Sequence, residues 1–143
     1  MVEGTPEASS PPQVTPAEIA TPPRSLQLAL AAARTAADNQ GRNIQVLDLR
    51  EQTPLFDYFV IATGTSRRQL HAMSEEIDHV LEDQLHDQRL NIAGYRESRW
   101  IVLDYGTVVI HLFDEETREY YNLAALWGDA PNLDLADVIP TGN

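Results

Sequence analysis

The sequence predicts a domain of the α/β class, mixed α+β in detail, in which helices pack on a mixed β-sheet. Three observations carry this. Tyr58, Phe59, Val60, Ile61 and Ala62 form a continuous apolar run, as expected of a central strand buried on both faces. Downstream, Leu70, Met73, Ile77, Leu81 and Leu85 recur every three or four residues, the spacing of a helix with one core-facing stripe. The stretch from Trp100 to Phe113 then alternates around a short turn, as the two strands of a hairpin do.

The elements follow in order. The first 23 residues hold six of the nine prolines, with Ser, Thr and Glu, and the first arginine is Arg24. That composition predicts a disordered tail over residues 1–24, since an organelle-targeting peptide would be rich in arginine and poor in acids. Ser25 can cap a first helix to about Asn39, with Gly41 as its stop. A strand is expected over Asn43–Leu49, and Thr53-Pro54 breaks the chain before the apolar strand, Asp57–Thr63. Gly64 makes a tight strand-to-helix turn, and Thr65 or Ser66 caps a second helix to about Gln88. A short connection, Leu90 to Arg99, leads through Gly94 to strands near Trp100–Asp104 and Val108–Phe113. Asp114, Glu115 and Glu116 place negative charge at the start of a last helix, which runs through Tyr120 and ends near Trp127-Gly128. There is no internal repeat, and strand order does not follow from these patterns.

A hairpin turning over Asp104, Tyr105, Gly106 and Thr107 would pair Leu103 with Val108 and Ile101 with Ile110. One face is then purely aliphatic and belongs in the core. The other carries Trp100, Val102, Asp104, Thr107, Val109 and His111, a mixture that a simple core would not need and that suits contact with a partner. If helices cover both faces of the sheet, the same residues are a second core layer, and Tyr120 and Trp127 hold the last helix in place. Apolar patterning by itself does not separate these readings.

A chain of 143 residues with 43% apolar residues is one domain's worth, placed at residues 25–131. No cysteine occurs, which excludes a disulfide framework, a thiol nucleophile and cysteine-ligated metal sites and is compatible with a reducing cytoplasm. The longest apolar helix, Leu26–Ala37, is short and interrupted by Gln27, Arg34 and Thr35, so no membrane span is predicted. Ten arginines and no lysines oppose 22 acids, a formal net charge of −12. From Trp100 onward there are eight acids against Arg118 alone. Such a surface repels phosphate backbones, so direct nucleic-acid binding is not expected. It suits a basic protein partner, or serves solubility alone.

Metal and hydrolase chemistry find little support. His71, His79 and His86 fall eight and seven residues apart, not at the i, i+4 spacing that brings two imidazoles to one ion, and they are expected as solvated or half-buried helix residues. His111 with Asp114 and Glu115 has no G-x-S-x-G nucleophile beside it. It is expected to pack across the hairpin from Trp100, supporting the indole or sharing a hydrogen bond with it.

The run W-I-V-L-D-Y-G-T-V-V-I-H-L-F from Trp100 to Phe113, with R-E-Y-Y-N-L-A-A-L-W-G-D-A-P from Arg118 to Pro131 and D-Y-F-V-I-A-T-G-T-S-R-R-Q-L from Asp57 to Leu70, resembles the ribosomal silencing factor family (RsfS, Iojap-like). The resemblance spans roughly residues 26 to 131. It implies a factor that binds the large-subunit ribosomal protein numbered fourteen at the subunit-joining face, blocks association of the subunits and represses translation. No catalysis, cofactor or metal is implied. The contact would fall on Trp100, Leu103, Asp104 and Tyr105, with His111, Asp114 and Glu115 at the hairpin edge and rim, and Gly64, Tyr120 and Trp127 as structural supports. Leu103 fits least well, because the hairpin pattern points it inward. Thr107 stands where an acid is common in relatives, which removes one rim charge. The C-terminal tail, Asn132–Asn143, lies outside the resemblance, and its Leu133, Leu135, Val138 and Ile139 could pack back on the domain or support a homodimer.

The resemblance also implies a nucleotidyltransferase-like fold, which makes an enzyme or a nucleotide-binding protein the alternative. Gly64-Thr65-Ser66 could present backbone N–H groups to a phosphate. Nucleotidyl transfer, however, needs acids spaced D-x-D on the following strand to hold magnesium, and no D-x-D occurs after Gly64.

Overall fold

The computed structural model describes residues 22–139; the proline-rich segment up to residue 21 lies outside them. Helix α1 (Arg24–Asp38) begins directly after Pro23, and it is Pro23 that occupies the N-cap, without a side-chain hydrogen bond. Ser25 is therefore inside the helix and not its cap. At the other end Gln40, with φ 69°, turns the chain. The N–H of Gly41 bonds the Ala36 carbonyl at 2.8 Å and that of Gln40 bonds Ala37 at 3.0 Å, a paired closure that satisfies two free carbonyls of the last turn. Gly41 is needed for space, since a Cβ there would sit 2.8 Å from the Ala36 oxygen.

Five strands form one sheet in the order β1-β2-β5-β4-β3. They are β1 (Arg42–Asp48), β2 (Tyr58–Gly64), β3 (Asn91–Ala93), β4 (Trp100–Asp104) and β5 (Val108–Asp114). β2 lies antiparallel to β1 and parallel to β5, so all seven of its residues are buried. That confirms the central strand. β3 was not expected: it pairs antiparallel with β4 within the connection through Gly94, and three residues are too few to leave a periodic signal.

Helix α2 (Arg67–His79) is capped by Ser66, whose hydroxyl accepts from the Gln69 N–H. It continues as a π-helical turn, Val80–Gln84, and stops short of Gln88, because His86 at φ 58° turns the chain away. α1 and α2 cover one face of the sheet, burying Leu28, Met73, Ile77 and Leu81 against Val60, Ile101, Leu103 and Ile110. Leu133, Leu135 and Ile139 pack against this same core, and the Leu133 N–H bonds the Val46 carbonyl. The segment from Leu133 to Ile139 thus folds back on the domain.

The hairpin register differs from expectation. Leu103 pairs with Ile110 and Ile101 with Leu112, two residues further along than the predicted partners. The turn is tighter, with Tyr105 N–H bonded to the Val108 carbonyl and Gly106 at φ 87°. Because the slip is even, no side chain changes face. Ile101 and Leu103 join the helix-covered core, and Val109 and Phe113 join a second cluster with Leu47, Leu49, Phe59 and Ile61.

That second face is covered too, by the end of the chain. Helix α3 (Glu115–Tyr121) is capped by Asp114, and Asn122, at φ 47° and ψ 63°, breaks it from a short α4 (Leu123–Leu126). One helix through Trp127 was expected; the left-handed Asn122 splits it and lets Leu123 and Trp127 fold onto the sheet.

Candidate functional site

Trp100 stands at the first position of β4, half-buried, opposite Phe113 of β5. Its ring stacks on Phe113 at 4.9 Å between centroids and meets Tyr121 of α3 at 4.8 Å. Its Nε1–H donates to Nδ1 of His111 at 3.1 Å. The residue directly across from His111 is Val102, so the expected Trp100–His111 contact exists but runs diagonally. His111 is itself buried, 6% exposed, with Phe59 at 4.5 Å, and this burial pulls its pKa down to about 4. The imidazole is neutral, accepts at Nδ1 and carries its proton on Nε2, which finds no partner among the described residues.

Of the other residues expected at the contact, Leu103 is fully buried and stands behind the surface, as its alternation predicts. Tyr105 is also buried. Its hydroxyl donates to Asp78, which also accepts from Arg89. Burial and the Asp78 carboxylate push the Tyr105 phenol well above its ordinary range. Leu103, Tyr105 and His111 are therefore buried in this structure, with little or no side-chain surface facing solvent.

The acids remain available. Asp104 lies on the same side of β4 as Trp100, roughly 13 Å along the strand, half-buried, with Oδ1 accepting the Gly106 N–H at 2.8 Å. Asp114 is half-buried and caps α3 through the Thr117 N–H at 2.8 Å, while Glu115 in the first turn is exposed. These positions suit carboxylates because the helix N-terminus carries partial positive charge.

Beside Trp100 opens a cleft of about 440 Å³, bounded by Glu97, Arg99, Glu116, Tyr120 and Tyr121. Tyr120 is 81% exposed, its ring edge-on to Tyr121 at 5.0 Å. It is a surface aromatic and not the structural support expected of it. Trp127 does support the fold, edge-on to Phe59 at 6.0 Å. Tyr121 and Glu116 also line this cleft and were not among the residues expected there; the adjacent Tyr-Tyr pair after an acidic turn was the available signal.

Gly64 is structural. A Cβ there would lie 2.7 Å from Cδ2 of Leu70, so the glycine lets α2 close on the strand end. The N–H and hydroxyl of Thr65 both bond Oε1 of Gln69, at 2.6 and 3.0 Å, and Ser66 is engaged as the cap. Thr65 thus commits both of its donors within the turn. His71 stacks on Tyr95 at 4.1 Å and His79 pairs with Asp83, while His86 lies past the helix. Among the described residues, no group of three or more His, Asp or Glu could hold a metal ion, and no helix is long and apolar enough to cross a membrane.

One charged residue not singled out from the sequence as a site residue sits at the middle of α3. Arg118 is half-buried and bridges the helix to the sheet, donating from Nη1 to Thr63 Oγ1 and from Nη2 to Gln45 Oε1, both at 2.7 Å.

A family model described as "Ribosomal silencing factor during starvation" matches residues 22–142. The Ribosomal silencing factor RsfS of Halalkalibacterium halodurans is 37% identical over 115 residues, 80% of this chain and 94% of that protein. The mouse protein named "Mitochondrial assembly of ribosomal large subunit protein 1" is 38% identical over 91 residues, 60% of this chain and 39% of its own length. Among solved structures, the crystal structure of a Chromobacterium violaceum protein superposes with a TM-score of 0.69 at 30% identity, covering 73% of this chain and 86% of that one.

Proposed function

The chain belongs to the ribosomal silencing factor family, and from that membership we propose that it docks on a basic protein of the large ribosomal subunit and holds the small subunit off. The resemblance points to the protein numbered fourteen, on the subunit-joining face. Such a factor needs occupancy and no chemical step, and the reading assigns it none.

The observation that carries this reading is the construction around Trp100. Its indole is half-exposed at a cleft and held in one orientation by His111, Phe113 and Tyr121; the carboxylates of Glu97 and Glu116 border that cleft beside Arg99, and Asp104, Asp114 and Glu115, which do not line it, would form a wider acidic rim. A rigid aromatic beside carboxylates matches a basic partner, since anchors of this kind carry most of an interface's energy and the surrounding charge steers the encounter. The mouse relative is named for large-subunit assembly, which agrees with a partner on that subunit. Nucleotidyl transfer gains no support from a Gly64 turn in which Thr65 spends both its N–H and its hydroxyl on Gln69.

The test is to sediment isolated large subunits with the protein and with Trp100→Ala, after circular dichroism shows the variant folded, and then to add small subunits. Wild-type protein is expected to co-sediment and suppress joining, and the variant to do neither. Wild-type protein that fails to pellet with cognate subunits overturns the reading.

A further inference from the structure

The face of α3 that carries Arg118 opens on a second cleft, also about 440 Å³, at the lower end of small-molecule pockets, about 300–1,000 Å³. It sits where β2 and the parallel β5 both finish, at the Gly64–Asp114 pair. The crevice beyond the carboxyl ends of parallel strands is where α/β sheets commonly bind ligands. Asn43 forms part of its wall at φ 49°, where the β1–β2 register shifts between Arg42 and Gln45, a type of irregularity that often re-aims side chains beside a site.

Opposite charges line this cleft without meeting. Arg118 contributes from the floor, and its two hydrogen bonds go to neutral oxygens. Among the described residues it forms no ion pair. A partly desolvated guanidinium without an anion is unfavourable, and burial accordingly lowers its pKa. Glu115 and Glu119 stand four residues apart on α3, exposed, lining the same space, and like charges at that spacing repel mildly. The remaining wall, Asn43, Gln45, Thr63 and Asn122, is neutral and polar. A bare anion would suit Arg118 but be repelled by a chain of net charge −12. A ligand that carries both charges relieves both strains at once.

We propose that this cleft binds a small zwitterion, an α-amino acid with a polar side chain, its carboxylate on Arg118 and its ammonium between Glu115 and Glu119. Such binding needs no ribosomal subunit for its test, although it engages Glu115, which the proposed ribosome-facing rim also includes.

The experiment is an amide NMR titration of the full chain with millimolar L-serine and L-asparagine, against ethanolamine, which lacks the carboxylate, and lactate, which lacks the ammonium. Saturable shifts at Asn43, Thr63 and Asn122 are expected with the amino acids and not with the two controls. Arg118→Gln should abolish them, but that change also unties α3 from the sheet. Glu119→Gln therefore carries the decision, because Glu119 makes no ion pair among the described residues, and it should weaken binding about threefold, the scale of a solvent-exposed ion pair. No saturable shift with either amino acid, an equal response to lactate, or unchanged affinity in Glu119→Gln would each overturn the proposal.

Discussion

The indole N–H of Trp100 donates to Nδ1 of the buried, neutral His111 at 3.1 Å. One hydrogen bond thus sets the imidazole tautomer and the orientation of the tryptophan together, and it leaves Nε2–H inside the second core without an acceptor among the described residues. Burying an unpaired donor costs stability. Burial of the imidazole makes the site sensitive to proton concentration.

The folded-state pKa of His111, about 4, lies below the ordinary value near 6.5. Below about pH 6.5 the unfolded chain therefore binds a proton that the folded chain refuses. Stability falls as pH drops from about 6.5 to about 4, by about 3 kcal/mol from this residue. Urea unfolding of the wild type and of His111→Phe across that window should show the wild type losing stability relative to the variant. Parallel curves would contradict the assignment.

Trp100→Ala and Leu103→Ala should separate contact from scaffold. Truncating the half-exposed tryptophan is expected to weaken large-subunit binding by about 2 kcal/mol or more, as for a central anchor. Truncating Leu103 should cost about 2–5 kcal/mol of folding stability, since it leaves a cavity in the larger core. Paired denaturation and sedimentation measurements check both, and stability losses in the reverse order would refute the placement of these residues.

Tyr105→Phe removes the hydroxyl that donates to Asp78. Burial already raises the pKa of that carboxylate, with the Tyr105 and Arg89 hydrogen bonds holding it down. Stability should fall by about 1–3 kcal/mol at neutral pH, with binding of the folded protein unchanged. A variant that keeps its stability and loses binding would place Tyr105 at the contact after all.

Asp104→Asn and Glu115→Gln each delete a charge at the proposed rim. The expected effect on large-subunit binding is a lower association rate and a shallower dependence on salt, with a smaller loss of affinity than for Trp100→Ala. Stopped-flow association at two ionic strengths reads this directly. Unaltered rates and salt slopes would argue against an electrostatic rim.

Gly64→Ala places a methyl 2.7 Å from Leu70 Cδ2. Overpacking of this kind should cost about 1–3 kcal/mol, measurable as a lowered thermal midpoint. Leu70→Val, by freeing space, should recover part of it in the double variant; equal stability of Gly64→Ala and wild type would mean that α2 is not closely seated on the strand.

The elements and the sidedness of the strands were legible in the residues. Tyr58–Ala62 had to be a central strand, because a continuous apolar run is soluble only when covered on both faces. Ile101, Leu103, Val108 and Ile110 had to share a face whichever even register formed. The family was legible as well, in three blocks of local sequence. Burial around Trp100 was not: whether its face was surface or core depended on Leu123, Trp127 and Ala130, which reach it only after Asn122 breaks the last helix. Strand order, the hairpin register and the pairing of Arg118 with Thr63 and Gln45, 55 and 73 residues away along the chain, were likewise decided in three dimensions. Periodicity reports how much of a segment must leave water; which distant segment covers it is a property of the packed whole.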